Sequence, residues 1–222
     1  MAAAGYASHI YKEGTPTAMV GEALSLVSGK TYRITDRAKR VLDPTVAIVV
    51  KDNGGAVAAS NIESIDLLLG KVTFTSGYSV VGAITMDATY IPVSLVANIS
   101  SFNFDTDAGL MDNTTFVGSA DPAYGFRTRQ PTIGDYSLNF GLWDDITPEF
   151  EANVSAGDSL IFVIGTGNDP LNADVEHLRC RVIFESFQQS AEVGGLVENS
   201  YSAQGSATTS VDGYGVAVSE GV

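Results

Sequence analysis

Ile84-Thr85-Met86-Asp87-Ala88-Thr89-Tyr90 alternates apolar and polar residues without a break. Side chains of an extended chain point to opposite faces in turn, so this pattern predicts a strand with one face buried and one wet. The same period returns at Tyr136, Leu138, Phe140 and Leu142, and again at Leu178, Cys180, Val182 and Phe184. In the last run Arg179, Arg181 and Glu185 take the opposite face, which makes Cys180 a small core residue and keeps the arginines from activating its thiol. Val46–Val50 is β-branched and runs into Lys51-Asp52-Asn53-Gly54-Gly55, a hairpin turn signal leading to Val57. Ile65–Leu69 is also expected as strand, because Gly70 and the β-rich Val72-Thr73-Phe74 follow it.

Many short strands in one chain predict a mainly β fold, a β-sandwich or partial barrel. A single short α-helix is expected at about residues 147–156. Thr147 caps it, Pro148 takes its first position, Glu149 suits its dipole, and Gly157 stops it. Leu160–Ile164, just beyond, is apolar on both faces and must be covered twice, by that helix or by a neighbouring subunit. The ends are poor in large apolar groups. The division expected is an N-terminal arm over 1–29, a β domain over 30–202 with a long loop at about 105–129, and a C-terminal tail over 203–222, both arms being flexible.

Twelve Lys+Arg against 26 Asp+Glu leave a net charge of −14, which repels a phosphate backbone and argues against a sequence-reading DNA binder. The imbalance is uneven. Residues 1–50 carry six basic and four acidic groups, a net of +2, so the remainder holds −16. Arg33, Arg37, Lys39 and Arg40 make a compact basic patch, either a solvated face or one half of a head-to-tail contact between copies. No basic leader and no apolar run of about 20 residues is present, so neither a cleavable signal nor membrane insertion is expected.

Several chemical patterns fail on spacing. Ser28-Gly29-Lys30-Thr31 resembles the end of a phosphate-binding loop, but Leu24 stands where the first glycine belongs and a strand, not a helix, follows; a turn into a strand is expected. Asp105, Asp107 and Asp112 resemble a calcium loop, yet Gly109 sits fifth and Phe116 twelfth, where Gly is needed sixth and Glu last. Asp144-Asp145 beside Trp143 are adjacent on an extended segment and point apart, unlike a glycosidase pair. His9, His177 and the lone Cys180 supply neither a triad nor a zinc set. The expectation is a non-enzyme without metal or cofactor.

One linked set of segments carries a family resemblance. Ser28-Gly29-Lys30-Thr31-Tyr32-Arg33-Ile34-Thr35-Asp36-Arg37-Ala38-Lys39-Arg40-Val41-Leu42-Asp43-Pro44, a β run, and Ile65-Asp66-Leu67-Leu68-Leu69-Gly70-Lys71-Val72-Thr73-Phe74 resemble the N-terminal half of the major tail proteins of long-tailed phages. Phe140-Gly141-Leu142-Trp143, the short helix, and Gly157-Asp158-Ser159-Leu160-Ile161-Phe162-Val163 are similar to a later helix-then-strand of that family; together the likeness covers roughly residues 10–205. The resemblance implies a virion protein whose subunits close into hexameric rings by continuing a sheet from copy to copy. Rings then stack into a tail tube through the arms and the long loop, with other tail proteins as partners, host cytoplasm as the place of assembly, and an acidic lumen through which DNA slides. In that setting Arg33, Arg37, Lys39 and Arg40 are the expected self-assembly contact. The alternative is a monomeric β-sandwich that binds carbohydrate on Trp143 and nearby tyrosines.

Overall fold

A computed structural model describes residues 7–112, 129–142, 150, 152–165, 177–190, 198–205 and 216–219. In chain order the strands are β1 (Ala7–Glu13), β2 (Thr17–Ser28), β3 (Thr31–Ile34), β4 (Val49–Asp52), β5 (Gly55–Ala56), β6 (Ile62–Asp66) and β7 (Lys71–Phe74). Then come β8 (Ile84–Tyr90), β9 (Val93–Asp112), β10 (Arg129–Leu142), β11 (Ser159–Gly165), β12 (His177–Ser190), β13 (Glu198–Gly205) and β14 (Val216–Ser219).

They form two antiparallel sheets, as the alternation predicts. One runs β11-β1-β9-β10-β13-β12-β14, and an additional pairing of β11 with β12, the last strand but one, curls six of its strands into a barrel. The other, β5-β4-β8-β2-β3-β7-β6, comes wholly from the stretch between β1 and β9 and stays open, with β5 and β6 at its edges.

Two apolar cores follow. Leu160, Phe162, Cys180, Val182, Phe184, Leu138, Phe140, Leu142 and Ile10 fill the barrel. Tyr11, Ile161 and Val163 leave the barrel wall on its other side and pack with Ile34, Val72, Phe74, Ile84 and Met86 of the open sheet. Leu160, Ile161, Phe162 and Val163 are all fully buried, so β11 is covered on both faces within one chain. The segment with helical residues 150, 152 and 153 supplies part of that cover through Phe150 and Val154, which sit in the barrel core; the Val154 amide donates to the Phe150 carbonyl at 2.9 Å, and Gly157 ends the segment at φ +94°. The expected capping residues 147–149 lie outside the described residues.

Four expectations need correction. Residues 7–28 are not an arm: β1 lies between β11 and β9 with Ile10 fully buried, and β2 lies between β8 and β3. The alternation of β2 is broken at a bulge between Met19 and Glu22, where Gly21 takes φ +66°, so its two buried residues, Met19 and Leu24, fall five apart. Residues 203–205 complete β13, with Ala203 buried, and 216–219 pair with the first half of β12, so this end is no tail throughout. Of the long loop, 105–112 belong to β9 and 129 begins β10; only 113–128 lie outside the described residues. Finally, β6 stops at Asp66, because the Asp66 carboxylate accepts hydrogen bonds from the Leu68 and Leu69 amides at 3.0 and 2.9 Å and folds Leu67–Gly70 into a turn.

Candidate functional site

The basic patch does not survive folding as one surface. Arg37 and Lys39 sit on a 3-10 turn begun by Asp36, whose side chain accepts from the Ala38 amide at 3.1 Å. Lys39 is held within its own chain by Glu22 at 2.6 Å and Asp36 at 3.4 Å, and the Glu22 hydrogen bond is the main reason its pKa is raised. Arg33 and Arg40 turn inward and are only 6% and 5% exposed, with Arg40 Nε donating to the Ile34 carbonyl at 2.9 Å. Two members of the expected contact are therefore buried within their own chain.

There they approach Arg179, which is 1% exposed and whose Nη1 donates to the Leu68 carbonyl at 2.9 Å. This bond ties β12 of the barrel to the 67–70 turn of the open sheet. Burial first, and then the like charges of Arg40 and Arg33, pull the Arg179 pKa down to about 9 against the attraction of Asp66. Burial also raises the Asp66 carboxyl, which the Leu69 and Leu68 amides partly offset. Sequence periodicity put Arg179 on the face opposite Cys180 correctly, but could not tell that this face is covered. The Asp66 turn had a signal, an Asp ahead of an apolar run closed by Gly70 at φ +60°.

The rejected chemistries find no new support. Gly29 turns the chain at φ +51° into β3, and Lys30 Nζ donates to the Tyr78 carbonyl. Asp105 lies on extended backbone in the β9–β10 ladder, opposite Ser137, and not in the tight turn that a calcium loop requires. Burial pushes the Cys180 thiol up to about 12, so at neutral pH it is protonated and not a nucleophile. Trp143, Asp144 and Asp145 lie outside the described residues, as does the side chain of His177.

The molecule instead exposes sheet edges. β9 and β10 are longer than the barrel: β1 pairs with β9 only over residues 93–98, and β13 pairs with β10 only over 137–142. Past the Asp105–Ser137 pair the two strands continue alone as a ribbon as far as Asp112 and Arg129, about 25 Å at ~3.4 Å per residue, with no described strand on either outer edge. A second opening lies along the terminal strand β6. A groove of about 400 Å³, lined by Pro44, Val46, Ile48, Ala59, Ile62 and Ile65, runs between it and the segment entering β4. A sheet can accept an added strand at such edges, backbone to backbone, and the groove beside β6 has apolar groups alongside.

Comparison with known protein families finds no family model that matches this chain, and the curated proteins contain no match to it.

Proposed function

We propose that this chain is a structural protein that assembles with copies of itself into stacked hexameric rings, forming the tail tube of a long-tailed phage through which DNA passes. The observation that carries self-assembly is the β9–β10 ribbon. A two-stranded hairpin alone is marginal in water, and its rows of unpaired amides and carbonyls are a template for further strands. A ribbon of this length, with no described strand along its outer edges, calls for a partner, and another copy of the same chain is the partner available in every preparation. The net charge of −14 favours a bore that repels phosphate over one that grips it. The six-fold ring and the phage setting come from the sequence resemblance.

The test is electron microscopy of the purified protein beside a variant in which residues 106–136 are replaced by Asn-Gly, a two-residue hairpin turn. The expected result is rings or tubes from the parent, and from the variant a folded monomer with the parent's circular dichroism. A parent that stays monomeric at every concentration, or a shortened variant that still polymerises, refutes the proposal.

A further inference from the structure

Where β1 leaves the barrel, a cleft of about 380 Å³ opens between β1, the start of β11 and the Asp43–Thr45 turn. Its volume is in the range of small-ligand sites. Among the described residues, five charged side chains line it: Lys12, Arg181, Glu13, Asp43 and Asp158. Both cations are engaged. Lys12 Nζ donates to Asp158 Oδ2 at 2.8 Å and to the Asn153 carbonyl, while Arg181 donates from Nη2 to Glu13 Oε2 at 2.6 Å and from Nε to Ser159 Oγ at 2.8 Å.

The acceptors are not used up. The Glu13 side chain is 8% exposed, yet its Oε1 is buried with no hydrogen-bond partner. Asp43, also 8% exposed, spends one oxygen, Oδ1, on the Thr45 amide at 2.8 Å and the Thr45 hydroxyl at 2.7 Å. Among the described residues, three carboxylates against two cations leave the cleft one negative charge in excess, and a buried carboxylate oxygen is costly to leave without a donor.

We infer that this cleft is a binding site for a primary ammonium group. A single positive charge balances the excess, and an ammonium offers three donors that can be shared among separate acceptors. A guanidinium suits the site less, since its two-pronged geometry wants both oxygens of one carboxylate and Arg181 already holds Glu13 Oε2. A divalent cation suits it less again: among the described residues no three metal-ligating side chains converge, and such ions want six or more oxygens. The ammonium can belong to a free amine or to a lysine side chain of another polypeptide.

The experiment follows the side-chain Cδ of residue 13 by NMR, a carboxylate carbon in the parent and a carboxamide carbon in Glu13→Gln, while ethylammonium chloride replaces tetramethylammonium chloride at fixed ionic strength; the latter carries the same charge but no donor. A saturating shift is expected, with affinity at least tenfold weaker in Glu13→Gln. Asp43→Asn, on the facing wall, is expected to weaken it as well and carries the test if Glu13→Gln fails to fold. In a second arm, Nα-acetyl-lysine methylamide binding more tightly than ethylammonium assigns the site to a peptide-borne lysine, and ethylammonium binding alone assigns it to a free amine. No saturation with either, or the same response to tetramethylammonium alone, means that Glu13 Oε1 is met by water only and overturns the proposal.

Discussion

Phe150 shows how one side chain sets the barrel's interior. It is fully buried, with its ring centroid 4.9 Å from Tyr201, 5.8 Å from Phe184 and 6.0 Å from Phe140, each in edge-on contact. Phe140 and Tyr201 are themselves cross-strand partners, stacked at 5.2 Å. Truncating such a ring removes its transfer free energy and leaves a cavity that rigid strands cannot fill, so Phe150→Ala is expected to lower stability by about 3–5 kcal/mol. Urea denaturation checks this, and a loss below ~1 kcal/mol would show that the helical residues do not plug the barrel. Burial of this kind was legible where period-two alternation is strict, as at Cys180 and Met86, both fully buried. It was not legible at Arg33, Arg40 and Arg179, because alternation assigns a side chain to a face without saying what lies over that face.

Among the elements, the β4–β5 hairpin was the most readable. Asn53-Gly54 promised a turn with two positive φ angles, and they are +49° and +83°. What the sequence did not announce is the clamp that holds this hairpin to the segment before β8. The Asp52 carboxylate accepts from the Val81 amide at 2.8 Å, the Gly82 amide at 2.7 Å and the Tyr78 hydroxyl at 2.8 Å. The Val81 amide foremost, with Tyr78 and Gly82, holds the Asp52 carboxyl below its ordinary value. A carboxylate whose folded pKa is depressed stabilises the fold fully above its unfolded value, near 3.8, and that contribution is lost as pH falls through the lower folded value. Hydrogen-exchange protection of the Val81 and Gly82 amides is therefore expected to hold at pH 5–6 and to drop below about pH 4, with Asp52→Ala already unprotected at neutral pH. Unchanged protection in Asp52→Ala would remove the clamp from the account. β2 was the least readable element, since its bulge shifts the period midway and leaves Val20 and Leu26 82% and 58% exposed.

For the molecule as a whole, burying Arg33 and Arg40 changes how the proposed assembly should respond to salt. An exposed basic patch meeting acid on a neighbour would weaken as ions screen it. With that patch divided, copies approach carrying −14 each, and their mutual repulsion is what salt relieves; the screening length shortens from about 30 Å at 0.01 M to ~8 Å at 0.15 M. Sedimentation velocity is expected to show association rising between about 0.01 and 0.15 M NaCl, whereas a fall over that range would restore the opposite-charge contact. A different consequence comes from β1, whose His9 pairs with Asn98 on one side and Val163 on the other. The open sheet draws its strands from near neighbours in the chain and can begin to pair them as soon as they leave the ribosome. The barrel cannot, because β1 must wait for β11 to be translated, on the order of ten seconds at about 5–20 residues per second. Throughout that interval a nascent strand with Ile10 bare is open to chaperones and to neighbouring polysomes, so the speed of synthesis itself bears on how much of the protein closes correctly.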